Sequence, residues 1–293
     1  MFELIKVSDT CYYVESPAKI GIIMLGNNDV ALIDSGSDKD AAKKLLKITD
    51  ANGWNIRAIY NTHSHADHIG GNQLIEERTG CKIYAPGIER DFTKSTVLES
   101  SFLIGAYPHS ALRHKFLMAR PSNALPLCEN VLPKGVEMIS LPGHSFDMVG
   151  FRVFDGTVFL ADSLSSETTL DKYGIVFLYD VKAHLETLNM ICGMDGVTFI
   201  PSHACVTDNI SGLARYNIEK TEQVINNIIE ICKKPISFDE ILKRLFDKYS
   251  LTMTFEQHAL VGSTVRSYLS YLLDEGKILA KFENNVMLWE SLI

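Results

Sequence analysis

The chain has 293 residues, of which 46% are apolar and 22% charged, and its formal net charge is −8. This length suits one large domain with a smaller second one, and the composition excludes a disordered or fibrous protein. The acidic balance also disfavours a nucleic-acid backbone as the main partner, because such binding depends on clustered Lys and Arg.

The N-terminal stretch MFELIKVSDTCYYV has no basic segment followed by an apolar core, so we expect no signal peptide. We expect no membrane span either, since no apolar run is long enough to cross a bilayer. The six cysteines are scattered and include no CxxC pair. Isolated thiols of this kind predict a reducing, cytoplasmic location.

Strands and helices alternate in the first part of the chain. A strand, VALIDSG, precedes a helix, DKDAAKKLLKITDAN, whose apolar residues recur at helical spacing. A strand, IRAIYNTH, a short helix, GGNQLIEERTG, and a further strand, KIYAP, follow. This alternation indicates an α/β fold.

Residues from about 88 to 130 interrupt the alternation. This segment is apolar and aromatic, with helical stretches broken by Pro108, and it predicts a helical insertion. One interpretation is a packed excursion that stabilises the core. The other is a lid over a site, since long insertions in compact domains are often functional.

The alternation resumes after the insertion and echoes the first part. The strands VEMISLPGHS, MVGFRVFDG and TVFLADSL are followed by the helix VKAHLETLNMICGM and the strand VTFIPSHA. Several apolar runs in both halves end in Asp or His. The echo suggests two similar layers with polar residues gathered at the strand ends.

From Pro235 the pattern changes to two helices and a hairpin that turns at Asn284-Asn285. We therefore predict a catalytic domain at 1–233 and a winged-helix-like α+β domain at 235–293. The second domain has six basic and eight acidic residues, whereas DNA-binding winged helices are usually basic on the reading face. Its expected role is packing or dimerisation, and a homodimer is compatible with this.

The motif THSHADH predicts a metal site. On an extended segment alternate side chains share a face, so His63 and His65 converge on one ion. Asp67 and His68 turn into the helix that follows and face a second ion. Imidazole and carboxylate ligands suit zinc, and also iron or manganese.

Further ligands are expected from distant strand ends. His144 follows Pro-Gly in LPGHS, Asp162 closes an apolar run in FLADS, and His203 does so in FIPSHA. Asp34 in LIDSG is a fourth such residue. A charged residue that closes a buried strand either meets solvent or has a partner, and four in this order favour a shared site.

Taken together, LIDSG, THSHADH, GHS, ADS and SHA resemble the metallo-β-lactamase-fold hydrolases, in particular their glyoxalase II-like branch, over roughly residues 5–230. The resemblance implies an αββα sandwich with a dinuclear site at one edge. It implies seven metal ligands: His63, His65 and His144 for the first ion, Asp67, His68 and His203 for the second, and Asp162 for both. It also implies that Asp34 hydrogen-bonds a ligand histidine and fixes its tautomer.

Two features depart from the family pattern. The last motif is PSHA, with Ser202 where much of the family has a PGHG-like turn. The chain also lacks an evident basic cluster for a glutathione thioester. The substrate therefore stays open within the expected class.

The predicted function is hydrolysis of a small ester, thioester or lactone by hydroxide bound to two metal ions, with zinc favoured and iron or manganese as alternatives. Asp67 is the predicted catalytic residue, which orients the nucleophile while it binds metal. Tyr173 follows Asp162 by eleven positions and is a candidate substrate contact, with simple packing as the alternative.

Two other functions compete with this prediction. An iron-dependent oxidoreductase or dioxygenase would use the same ligands, but His65 and His203 complete a dinuclear set that favours hydrolysis. A metal-dependent regulator would bind DNA through the C-terminal domain, which the acidic balance of that domain disfavours.

Overall fold

Two β-sheets pack face to face at the centre of the structure, a computed structural model that describes residues 2–293. The first sheet has seven strands, whose order in space is their order in the chain. They are β1 (Glu3–Lys6), β2 (Cys11–Glu15), β3 (Ile20–Gly26), β4 (Asp29–Ile33), β5 (Asn55–Tyr60), β6 (Lys82–Ala85) and β7 (Leu125–Pro126). Strands β1 to β4 pair antiparallel, and β4 to β7 pair parallel.

The second sheet has four strands in reverse spatial order. They are β8 (Glu137–Ser140), β9 (Val149–Arg152), β10 (Thr157–Ser165) and β11 (Thr198–His203). Strand β10 pairs antiparallel with β9 and parallel with β11. Parallel neighbours have their carboxyl ends at the same edge, so the polar residues that end β10 and β11 are brought together.

Ten α-helices accompany the strands in the described part of the chain. They are α1 (Lys39–Ala51), α2 (Ala66–Ile69), α3 (Asn72–Thr79), α4 (Glu89–Lys94), α5 (Val97–Ile104), α6 (Glu167–Tyr173), α7 (Val181–Cys192), α8 (Ser211–Ile231), α9 (Phe238–Lys248) and α10 (Phe255–Asp274). Helix α1 begins where the Asp38 side chain accepts hydrogen bonds from two backbone N–H groups of the first turn.

Apolar side chains from both sheets fill the space between them. Tyr13, Ile33 and Tyr60 of the first sheet share this core with Phe151 and Phe159 of the second. Alternate residues of a strand point to opposite faces, so the neighbours of these residues are directed outward. The outward side chains need cover from helices.

The helices supply that cover on both outer faces. Leu45 of α1 and Ile75 of α3 pack with Leu32 on the outer face of the first sheet. Leu188 of α7 packs with Leu160 of β10 on the outer face of the second sheet. The predicted αββα sandwich is therefore confirmed.

The insertion between β6 and β7 is helical only in its first part. It contains α4 and α5, then a 3₁₀ turn at Ser110–Leu112 within irregular chain. Helix α5 ends at Gly105, whose φ of +65° favours glycine. Pro108 and Pro121 lack the N–H that a continuing helix requires.

The C-terminal part contains α9, α10 and a small sheet of β12 (Ile236–Ser237), β13 (Ile278–Glu283) and β14 (Val286–Ser291). The hairpin β13–β14 turns at Asn284 and Asn285, with φ of +51° and +63°. Asparagine tolerates this conformation, which suits a two-residue hairpin turn. The predicted hairpin is confirmed, while the winged-helix description stays a prediction.

Packing is continuous across the predicted domain boundary near residue 234. Val224 and Ile228 of α8 belong to one buried cluster with Leu245 of α9 and with Val265 and Leu269 of α10. This shared core holds the C-terminal helices directly against the sandwich. The division of the chain into two domains stays a prediction.

Two further expectations concern membrane spans and cysteines. No helix within residues 2–293 combines the length and the hydropathy of a membrane span. All six cysteines are free, and Cys11, Cys81 and Cys232 among them are buried.

Candidate metal centre

Polar side chains meet at the edge of the sandwich where parallel strands end. Asp34 follows β4, and His63 comes three residues after β5. Asp162 lies within β10, His203 ends β11, and His144 belongs to the turn between β8 and β9. Residues more than a hundred positions apart in the chain thus lie within contact distance of one another.

Three imidazole rings form the first group. His65 Nδ1 lies 3.0 Å from His63 Nε2 and 3.0 Å from His144 Nε2. Asp162 Oδ2 lies 3.5 Å from His144 Nε2. His63 is fully buried, and the side chains of His65 and His144 are 16% and 13% exposed. These four ligand-type atoms lie close enough together for one ion.

The second group shares Asp162 with the first. Asp162 Oδ1 lies 3.1 Å from His68 Nε2, and Asp162 Oδ2 lies 3.1 Å from His203 Nε2. Asp67 Oδ2 completes the group at 3.2 Å from His203 Nε2. The Asp67 side chain is 40% exposed, so this group faces solvent on one side. All seven predicted ligands are thus brought together in two groups joined by one carboxylate.

In His144 and His203 the ring nitrogen that points away from the centre contacts a backbone carbonyl, and this contact fixes which nitrogen carries the proton in the neutral ring. His144 Nδ1 donates to the Phe177 carbonyl at 3.1 Å, and His203 Nδ1 donates to the Pro17 carbonyl at 2.9 Å. A carbonyl oxygen only accepts, so these assignments follow from the partners. The inner Nε2 atoms of the two neutral rings therefore present lone pairs to the centre.

His68 follows the same rule and provides the test of metal fit. Its Nδ1 donates to Asp34 Oδ2 at 2.8 Å, so its Nε2 presents a lone pair to Asp162. His68 Nε2 and Asp162 Oδ1 are buried and find no hydrogen-bond partner among residues 2–293. A lone pair that faces a carboxylate is repelled unless a proton or a metal cation lies between them. Nitrogen and carboxylate ligands in this arrangement fit divalent metal ions.

Electrostatics distinguish the two groups. Burial lowers the pKa of His144 to about 3, with His65 adding to the shift, and burial also holds the pKa of His63 well below its usual range. The Asp162 carboxylate raises the pKa of His203 to about 10. Although burial opposes it, His203 is the main group that holds the pKa of Asp162 well below its usual range. Burial thus keeps His63 and His144 neutral, whereas in the second group the Asp162 and Asp67 carboxylates raise the pKa of His68 and of His203.

Asp34, directly after β4, connects the first sheet to the loop that carries the THSHADH motif. Besides its contact with His68, it accepts hydrogen bonds from Thr62 N and Thr62 Oγ1, both at 2.8 Å. Asp34 has φ of +62°, and Ala161, just before Asp162, has φ of +49°. Such left-handed backbone is uncommon outside glycine and is often found at functional sites. The backbone is thus bent at the two positions that direct carboxylates into the centre.

Glu89 organises the loops of the site, and sequence reasoning missed it. Its buried carboxylate accepts from Ser64 N at 3.0 Å, Ser64 Oγ at 2.6 Å, Asp147 N at 3.1 Å and Ser145 Oγ. It thereby fixes the loop that carries His63 to the loop that carries His144. No local pattern reveals this role, because its partners lie 25 to 58 residues away in the chain.

The aromatic side chain beside the centre is Phe177. Its ring centroid lies 5.3 Å from that of His65 and 5.7 Å from that of His144. Tyr173, the candidate substrate contact, ends α6 with 42% exposure, and the Lys172 ammonium lies 4.7 Å from its ring centroid. A role for Tyr173 in substrate binding stays a prediction, whereas Phe177 forms an apolar wall of the first group.

Gly143 precedes His144 at a position that admits no other residue. Its φ is +121°, and a Cβ there would lie 2.3 Å from His184 N. We expect Gly143→Ala to lower the free energy of unfolding by about 3 kcal/mol or more and to displace His144, because strained backbone and overpacking add. Denaturant unfolding and metal content check this. Gly193→Ala is the control, since its Cβ would meet no atom within 4 Å, and equal stability of the two variants would contradict the prediction.

The fold and the two histidine-aspartate groups define a class of protein, and comparison with known sequences agrees. The family described as the metallo-beta-lactamase superfamily matches residues 11–203. The chain belongs to this superfamily, as the motifs predicted.

Curated relatives point to one branch of the superfamily. Hydroxyacylglutathione hydrolase from Maricaulis maris is 30% identical over 138 residues, which cover 45% of this chain and 44% of the relative. The same enzyme from Erythrobacter litoralis is 49% identical over 57 residues, 18% of this chain and 23% of the relative. The chain thus spans less than half the length of these relatives. The predicted resemblance to the glyoxalase II-like branch is confirmed.

Solved structures share the fold over nearly the whole chain. A metallo-beta-lactamase family protein from Thermus thermophilus has a TM-score of 0.74 at 16% identity, covering 98% of this chain and 100% of that one. A beta-lactamase domain protein from Burkholderia ambifaria has a TM-score of 0.72 at 15% identity, covering 99% and 93%. At such low identity the likeness concerns the fold alone.

Proposed function

We propose that the protein is a metal-dependent hydrolase that acts on a small ester, thioester or lactone at a centre of two divalent ions, with zinc favoured. The observation that carries the proposal is Asp162, whose two oxygens face both groups of ligand atoms. His63, His65 and His144 would hold one ion, and Asp67, His68 and His203 the other. The relatives named for hydroxyacylglutathione hydrolysis support a thioester within this class.

The side chains of the centre would hold the metal ions and orient the attacking water. Two bound ions supply Lewis acidity that makes hydroxide available near neutral pH. Asp67 is the most exposed of the proposed ligands, so its carboxylate can accept a hydrogen bond from an incoming water and orient it. Water oxygen bonds to the acyl carbon, the ester or thioester bond breaks, and the leaving group takes a proton.

The surroundings limit access to this centre. Phe177 covers the His65 and His144 rings, and His63 and His68 are fully buried. Solvent therefore reaches the centre mainly from the side of Asp67 and His203, whose side chains are 40% and 30% exposed. An extended substrate would approach from that side.

The test combines metal content with a substrate panel. We expect the wild-type protein to bind about two ions per chain and to hydrolyse at least one ester, thioester (including a hydroxyacylglutathione) or lactone. Asp67→Asn and His144→Ala should lower that rate by more than about 100-fold, since even a lost partner of a ligand costs about 10–100-fold. His258→Ala, an exposed histidine of α10, is the control and should keep the rate.

Retained metal and undiminished hydrolysis in both variants would contradict the proposal. Oxygen uptake by the iron-loaded protein, without hydrolysis, would favour the oxidoreductase alternative instead. The DNA-binding alternative is disfavoured by the C-terminal region, which has eight acidic residues against six basic ones.

A further inference from the structure

Each histidine of the proposed centre uses one nitrogen toward the ions and the other toward a partner. The outer partners are a hydroxyl for His63 (Thr62 Oγ1), a carboxylate for His68 (Asp34), and backbone carbonyls for His144 and His203. Such partners orient ligand rings and raise their basicity. The remaining histidine is His65, whose Nδ1 faces the centre and whose Nε2 points away from it.

The group that meets His65 Nε2 is Glu99, from helix α5 of the insertion. Glu99 Oε1 lies 3.6 Å from His65 Nε2, an ion-pair distance slightly longer than a hydrogen bond. The Glu99 residue is only 7% exposed. Burial raises the pKa of its carboxyl, His65 opposes that shift, and the acidic neighbours Glu89 and Asp67 add to it, so His65 is the one group that favours the carboxylate.

We propose that Glu99 is a positioning residue for His65, by which the insertion completes the metal centre. The proposal rests on the proposed function, because it takes His65 as a ligand through Nδ1. Glu99 then accepts the Nε2–H of the neutral ring, which fixes the tautomer that leaves Nδ1 free for the ion. The sequence motifs assign no role to this residue.

A purely structural role does not account for Glu99. Glu89, the other buried carboxylate of the insertion, accepts four hydrogen bonds that fix two loops. Glu99 accepts no hydrogen bond from any residue of 2–293, and its one ion-pair contact there is with His65. The position of the Glu99 carboxylate is therefore explained by its contact with His65, the proposed metal ligand.

Helix α5 is held beside the centre by helix α10. Leu103 of α5 and Leu112 of the 3₁₀ turn form a buried cluster with Ala259 of α10. The His109 and Phe255 rings add a second contact, with centroids 4.9 Å apart. The carboxylate therefore approaches His65 on a segment clamped between the sandwich and α10, which limits its movement.

The test measures metal binding directly. Wild-type protein, Glu99→Gln, Glu99→Asp and the control Glu129→Gln (an exposed glutamate three residues after β7) are titrated with zinc against a competing chelator. Cobalt-substituted samples give the visible spectrum of the bound ion. Thermal unfolding of each metal-free protein reports on the fold alone.

We expect Glu99→Gln to weaken one of the two metal sites by about 10–100-fold and to change the cobalt spectrum. The metal-free unfolding midpoint should stay unchanged or rise, and Glu99→Asp should restore part of the affinity. The Glu129→Gln variant should match the wild type.

Two results would overturn the inference while leaving the proposed function intact. One is wild-type affinity and spectrum in Glu99→Gln. The other is equal weakening of both sites together with a lower metal-free midpoint and no rescue by Glu99→Asp, which indicates a structural role. A wild-type protein that binds no metal would instead contradict the proposed function, and this inference with it.

Discussion

Asp162→Ala is expected to cause the largest loss of activity of any single substitution at the centre. Asp162 contacts His68 and His203 at 3.1 Å and His144 at 3.5 Å, so its removal affects both groups at once. We expect bound metal to fall from about two ions per chain to about one or none, and hydrolysis to fall by more than about 100-fold. Metal quantitation and steady-state kinetics check this.

Two further variants make the Asp162 result interpretable. Asp162→Asn keeps the side-chain volume and removes the charge, so it should show the same losses if the alanine variant fails to fold. Asp208→Ala removes an exposed carboxylate five residues beyond His203 and should match the wild type. Full metal content in both Asp162 variants would show that this carboxylate does not join the two groups.

A variant that ends at Lys234 is expected not to fold. It lacks Leu245, Val265 and Leu269, which share a buried cluster with Val224 and Ile228 of α8. Exposing a buried aliphatic side chain costs about 1.5–3 kcal/mol, so several together exceed the usual stability of about 5–15 kcal/mol. Solubility and thermal unfolding measure the outcome.

The matched point variant is Leu245→Ala in the full chain, which should lower the free energy of unfolding by about 2–5 kcal/mol. Phe282→Ser, at a side chain that is 75% exposed near the hairpin turn, should leave stability within about 0.5 kcal/mol. A soluble fragment ending at Lys234 with wild-type metal binding would show that the predicted division near residue 234 separates independent domains.

The outline of the fold was accessible from the sequence because its signals are local. Alternating apolar runs predict the strands of both sheets, and helical spacing predicts α1, α3 and α7. The Asn284-Asn285 pair marks the hairpin through its backbone preference alone. The second half of the insertion could not be placed in this way, since its shape depends on contacts with α10 rather than on its own periodicity.

The histidines and aspartates of the centre were also visible before the structure. THSHADH compresses four candidate ligands into six residues, and Asp34, Asp162 and His203 each end an apolar run, while His144 follows a Pro-Gly pair. Strand ends are brought together by sheet pairing, so residues at such ends can be grouped without coordinates. The motif also contains Thr62, whose hydroxyl donates to Asp34. This contact was not predicted, because a threonine next to a histidine is common in sequences and carries no signal of a partner 28 residues away.

What only the tertiary structure decided is how these side chains are held. Glu89, Glu99 and Phe177 carry no local pattern, and each acts on residues 25 or more positions away. The sequence alone indicated the α/β alternation and the candidate ligand types, because strand periodicity and motif spacing are properties of neighbouring residues. The αββα sandwich was implied by the resemblance of the motifs to the metallo-β-lactamase-fold hydrolases. The partners of the ligands, and the core that α8 shares with α9 and α10, depend on packing between distant segments, which no local pattern records.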